Sequence, residues 1–211
     1  MVTTLTLLHT SPAHVPVFDA LRDRDHPGAV LRHLVAPRLL DRARATGPGA
    51  VAGELLVLLG DGPAGDRAPV LCTCSTLGGV AESLAPALGV PVLRVDRPMC
   101  AEAVRRGPRI AVLAALESTL GPTTDLLAEE AGPRPVRILP RVVEGAWERF
   151  EAGDGAGYLA RVAAAADAVT DADVVVLAQA SMAGAEALVT TGLPVLASPA
   201  RGLAAALARR A

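Results

Sequence analysis

A chain of 211 residues, 51% hydrophobic and 20% charged with a formal net charge of −2, can bury one large core or two small ones and falls outside the disordered and polyanion-binding classes. Aromatic residues make up only 2%, so there is no stacking platform for bases, the core is expected to be aliphatic, and nucleic acid is not an expected partner. All basic residues are Arg, and the absence of lysine excludes Schiff-base catalysis, an internal pyridoxal-phosphate aldimine and a Walker-type phosphate loop.

The first residues carry no basic leader and no long apolar stretch, so neither a signal peptide nor a spanning helix is predicted, and a cytoplasmic protein with no membrane partner is expected. Residues 3–8 predict a strand that delivers His9 and Thr10 to its end, before the turn formers Ser11 and Pro12. The histidines His9, His14, His26 and His33 all precede residue 34, without a His-x-x-x-His pair, and no Cys-x-x-Cys follows, so no metal site is expected. A short helix over 19–24, a strand over 29–35 and amphipathic stretches over 38–45 and 50–59 come next. The loop over 60–68 contains Gly60-Asp61-Gly62 but follows no strand, which leaves nicotinamide binding by the usual glycine fingerprint unsupported.

Val70 and Leu71 then lead into Cys72-Thr73-Cys74-Ser75-Thr76, two glycines and a helix over 80–88. A strand that ends in reactive side chains and turns into a helix puts them at a helix N-terminus, where free N–H groups and the dipole lower a thiol pKa and hold anions. Cys72 reads as a strand residue facing the core and Cys74 as a turn residue, and either could be the reactive thiol. The odd cysteine count, with Cys100 the third, argues against a disulfide framework.

A strand over 90–95 closes the first set of elements. A helix over 101–106 and a strand over 109–114 open the second, and that strand ends in Glu117-Ser118-Thr119 before a helix to Glu130. A short strand over 136–139 and a helical region over 144–170, broken near Gly153, precede a strand over 173–177, wholly apolar after Asp173, which ends in Gln179-Ala180-Ser181 and leads into a helix over 184–189. A strand over 193–197 and a helix over 203–210 finish the chain.

This alternation predicts an α/β fold of two similar domains with parallel-rich sheets, residues 1–95 with 195–211 and residues 96–194, and an active-site cleft between them. Polar residues gather at four strand ends, and Cys74, Gln179, His9 and Thr119 are expected to line that cleft. The hydroxyls of Thr10, Ser75, Thr76, Ser118, Thr119 and Ser181 suit either a substrate carboxylate or helix capping. His9 suits a general acid or an orienter of Cys74, Glu117 a base or a solvated carboxylate, while His14, His26, His33 and Cys100 read as structural. Gln179 is the only glutamine in a chain without asparagine, which favours a ligand contact over a loop-bonding amide.

These residues resemble the aspartate/glutamate/hydantoin racemase superfamily, which includes maleate isomerases and arylmalonate decarboxylases. The resemblance rests on His9-Thr10 in place of an acid-hydroxyl pair, Cys74-Ser75-Thr76 in place of Cys-Asn-Thr, Ser118-Thr119, and Leu177 to Met182 in place of a Gly-Cys-Thr motif. It implies two domains enclosing a small carboxylic acid, a cysteine from each on opposite faces of the reacting carbon, and no metal or organic cofactor. Cys74 would then be the first cysteine and Gln179 would occupy the second position. A carboxamide has no useful acid–base chemistry near neutral pH, so the expectation is a one-thiol isomerase, racemase or decarboxylase and not a two-base racemase. A catalytically degenerate small-acid sensor is the alternative, a two-lobed transport-type binding module is disfavoured by the missing export signal, and a homodimer is compatible with either enzyme or sensor.

Overall fold

The computed structural model describes residues 3–61 and 68–209, so residues 62–67 of the expected loop and Arg210 of the expected last helix lie outside the described residues. The chain divides into two compact units, Met1–Val95 with Pro199–Ala211, and Asp96–Ser198.

The first unit is built from β1 (Thr3–His9), α1 (His14–Asp25), β2 (Ala29–Val35), α2 (Pro37–Thr46), α3 (Ala52–Gly60), β3 (Val70–Cys72), α4 (Ser75–Ser83), α5 (Ala85–Leu88) and β4 (Val92–Arg94). Its four strands are parallel in the order β2-β1-β3-β4. Successive side chains of a strand leave opposite faces, and two aliphatic cores follow from that alternation. Leu8, Val70 and Cys72 pack with Val51, Leu55 and Leu77 on one face. Leu5, Leu7, Leu71 and Leu93 pack with Phe18 of α1 on the other.

The second unit repeats the plan with α6 (Arg97–Arg106), β5 (Arg109–Ala114), α7 (Leu120–Ala131), β6 (Arg137–Val142), α8 (Ala146–Glu151), α9 (Gly155–Asp167), β7 (Val174–Leu177) and β8 (Val195–Ala197). The order is β6-β5-β7-β8, again all parallel. The central strand β7 is buried along its whole length, which explains its unbroken apolar run. The edge strand β6 instead alternates toward solvent and carries Arg137, Pro140 and Arg141, residues that blunt an exposed edge.

One expectation is corrected. Residues 195–198 do not join the first unit, because β8 pairs with β7 and Leu196 sits in the core of the second. The return follows at α10 (Ser198–Ala208), whose Leu203 and Ala206 complete the α1-side core of the first unit. Gly202 permits the approach, since a Cβ there would lie 2.6 Å from the carbonyl oxygen of Val95. Among the described residues no helix is long and apolar enough to cross a membrane.

Candidate functional site

In the first unit, β1 and β3 end side by side, and Thr73 N–H donates to the Leu8 carbonyl at 2.9 Å just past the last ladder pair. Cys74 is the next residue, in extended conformation, and forms the N-cap of α4 with 8% of its surface accessible. Ser75 and Thr76 occupy the first turn and are half-buried. The Cys74 thiol therefore stands at the positive end of a nine-residue helix. Cys72 is fully buried, and its thiol donates to the Cys74 carbonyl at 3.6 Å. Between the two, Thr73 points to the opposite face of the sheet, toward α1.

His9 lies on that α1 face and is fully buried. Its Nδ1 is 2.8 Å from Thr73 Oγ1 and its Nε2 is 2.8 Å from His33 Nδ1, so neither ring nitrogen bonds Cys74. The reason lies in strand alternation: Leu8 shares the Cys72 and Cys74 face, and His9 takes the other. Burial, then the neighbouring His33 and His14, push the His9 pKa from 6.5 down to about 3, which keeps the ring neutral. An unfolded chain thus binds more protons than the folded one between those values, and stability falls as pH drops from about 6.5 toward about 3. Urea unfolding midpoints at pH 7 and pH 5 are expected to differ, with a slope from this group of at most about 1.4 kcal/mol per pH unit, and His9→Gln is expected to reduce that difference. Thr10 follows His9 and is also buried.

The second unit has the same backbone pattern. Ala178 N–H donates to Leu113 carbonyl at 2.9 Å, as Thr73 does to Leu8, and Val143 N–H donates to Ala114 carbonyl as Ala36 does to His9. These bonds equate Leu113 with Leu8, Ala114 with His9, Ala178 with Thr73 and Gln179 with Cys74. Gln179 is, like Cys74, the extended N-cap of the following helical segment, here the 3₁₀ turn Ala180–Ala187 in place of the expected helix over 184–189. Its Oε1 accepts from Ala115 N–H at 2.6 Å, so the amide ties the end of β7 to the end of β5 and leaves its NH₂ as a donor. Ser181 is bonded at 2.9 Å to the phenol of Tyr158, which is 2% exposed. Burial raises the Tyr158 pKa to about 12, against the opposing effect of Ser181. Thr119 is buried at the start of α7, and its carbonyl accepts from Thr123 Oγ1. Ser118 and Glu117 are exposed in the preceding turn.

Cys74, Ser75, Thr76, His9 and Thr10 thus share the strand ends of the first unit, and Gln179, Ser181, Ser118 and Thr119 those of the second. Thr73, His33 and Tyr158, which bond directly to these residues, were not among the expected site residues. Only the uniqueness of Tyr158 in the chain could have marked one of them. An open depression of about 460 Å³ beyond β2, lined by Val35, Pro37, Leu39 and Leu58 with the charged Arg38 and Glu54, contains no expected site residue. Among the described residues no group of three His, Cys, Asp or Glu is placed to hold a metal ion.

Comparison with known proteins brings the same residues into a family context. No curated protein matches the chain. The aspartate racemase of Picrophilus torridus has the same fold, with a TM-score of 0.67 at 12% identity over 99% of this chain and 95% of its own. The allantoin racemase of Pseudomonas fluorescens gives 0.64 at 20% identity over 97% and 88%. Unliganded arylmalonate decarboxylase gives 0.57 at 17% identity over 97% and 91%. A family model described as Asp/Glu/Hydantoin racemase matches residues 12–206, nearly the whole of both units, and the chain belongs to that family.

Proposed function

We propose that this family member acts on a small carboxylic acid by one-sided proton chemistry at Cys74, without a metal or organic cofactor, and is not a two-base racemase. The observation that carries this reading is Gln179: the position equivalent to Cys74 holds a carboxamide whose oxygen is already bonded to Ala115, and a carboxamide neither takes nor gives a proton near neutral pH. Two of the three named relatives support the substrate class, since aspartate and an arylmalonate are carboxylic acids, whereas allantoin is not.

In a decarboxylation, the bond from the α-carbon to the departing carboxyl group breaks, carbon dioxide leaves, and the electron pair remains as an enediolate. Backbone N–H groups at the start of α4 and the hydroxyls of Thr10, Ser75 and Thr76, all of the first unit, hold that charge. The Cys74 S–H protonates one face of the carbon, and the thiolate regains its proton from solvent. His9 is assigned a positioning role in place of a catalytic one, because its buried ring is spent on Thr73 and His33.

A screen of small α-amino, α-hydroxy and malonate acids in deuterated water tests the reading. The expected result is carbon dioxide release or deuterium entry at one face, giving a single enantiomer. Robust racemisation with equal exchange from both enantiomers would overturn it. The sensor alternative is favoured by one fact, that among the described residues no basic side chain is hydrogen-bonded to the Cys74 sulfur. Saturable binding of an acid with no turnover, together with slow alkylation of Cys74 at pH 7, would support that alternative.

A further inference from the structure

Four side chains form one hydrogen-bond series, buried at Thr73 and His9 and partly exposed at His33 and Asp19, behind the strand end that carries Cys74. Thr73 Oγ1 lies 2.8 Å from His9 Nδ1, His9 Nε2 lies 2.8 Å from His33 Nδ1, and His33 Nε2 lies 3.3 Å from Asp19 Oδ1. The planes of the two imidazoles are 18° apart and their centroids 5.1 Å apart, as the bond between their edges requires. Three of the four groups come from the first 33 residues, and none was expected to act together.

The series can be read by counting hydrogens. A carboxylate only accepts, so His33 carries hydrogen on Nε2. While His33 is neutral its Nδ1 must accept, which requires hydrogen on His9 Nε2, leaves His9 Nδ1 as an acceptor and draws the Thr73 hydroxyl toward it. A second hydrogen on His33 Nδ1 reverses every bond. His9 Nε2 then accepts, its hydrogen moves to Nδ1 and points at Thr73, and the Thr73 hydroxyl turns to the Leu8 carbonyl 3.1 Å away. Both acceptors already lie within reach of Thr73 Oγ1, so the reversal requires no heavy atom to move.

We infer that Asp19 and His33 are positioning residues that set, through His9, the direction of the Thr73 hydroxyl beside Cys74, and that one proton on His33 reverses it.

The surroundings put the proton on His33 and not on His9. The groups facing the pair are His9 from β1, and His14, Asp19 and Arg22 from α1. Asp19 offers His33 a carboxylate, shared with Arg22 at 3.3 Å. His9 is fully buried against Phe18, with the His14 ring edge-on at 6.2 Å and no carboxylate bonded to it. Its depressed pKa of about 3 agrees with a ring that stays neutral. The equivalent positions of the second unit are Ala114 and Ala178, which cannot form such a series, so the device accompanies the unit whose strand end carries a thiol.

The bearing of this series on turnover rests on Cys74 being the reacting thiol, but its test does not. Histidine side-chain nitrogen NMR on the full chain from pH 8 to pH 4.5 reads the tautomers directly. The expected result is that His33 becomes charged while His9 stays neutral and exchanges its hydrogen from Nε2 to Nδ1 with the same midpoint. His33→Gln is expected to remove the pH-dependent tautomer exchange of His9. A His9 that keeps one tautomer throughout the His33 titration, or that becomes charged with it, would overturn the inference. Inactivity in a chain whose His9 exchanges as expected would count against the proposed function and leave this inference standing.

Discussion

Cys74→Ser is expected to lower deuterium exchange or decarboxylation by about 10²- to 10⁴-fold, the range that a positioned proton donor supplies, while Cys72→Ala keeps its rate and loses stability. The two thiols are two residues apart but occupy different environments. Cys72 is closed into the aliphatic core of β3 with its S–H on the Cys74 carbonyl, so its removal leaves a small cavity and an unmade weak bond, roughly 1–2 kcal/mol. Cys74 holds the N-cap position of α4 without a side-chain capping bond and retains 8% accessibility, and serine suits that position while lacking a thiol's acidity. Initial rates and urea unfolding on both variants separate the roles. A folded, inactive Cys72→Ala beside an active Cys74→Ser would move the chemistry onto the strand.

Gln179→Cys is expected to create or raise racemisation, by about 10²- to 10⁴-fold over the unmodified chain, because it puts a second proton-transfer group at the position equivalent to Cys74. The substitution has a structural cost: the Ala115 N–H loses its 2.6 Å acceptor, worth about 1–3 kcal/mol if nothing replaces it. Gln179→Ser, which loses the same bond without gaining a thiol of comparable acidity, is the control. Chiral chromatography of both enantiomers, with circular dichroism to establish folding, decides the matter. A folded Gln179→Cys that racemises no faster than Gln179→Ser would count against the one-missing-group account.

The parts of the architecture that were legible in the sequence are those where burial alone dictates the pattern. Residues 109–114 read as a strand and form β5, and the all-apolar run ending at Leu177 forms the central β7. Helix starts were placed too late. The expected helix at 80 begins at Ser75, and the one at 101 begins at Arg97, because Ser, Thr, Gly and Pro look like turn residues but serve here as N-terminal helix residues. Strand-end position was legible for Cys74 and Gln179. What those ends bond to was not. His33 reaches His9 diagonally across the β1–β2 pair, in which His33 itself is registered with Leu7, and no sequence pattern discloses that register. The partners Gln179 and Ala115 are likewise 64 residues apart, joined only once β5 and β7 lie side by side.

The route of α10 has a consequence for how the molecule is made. Leu203 and Ala206 belong to the core that Leu5, Leu7, Phe18, Leu71 and Leu93 begin, so the first unit cannot close that core until the whole of Asp96–Ser198 has been synthesised. At ribosomal rates this leaves its α1-side face incomplete for roughly 5 to 20 seconds. The second unit is continuous in sequence and faces no such wait. The nascent chain therefore carries a partly bare apolar surface on its first unit throughout that interval, and the unit translated first is the one finished last.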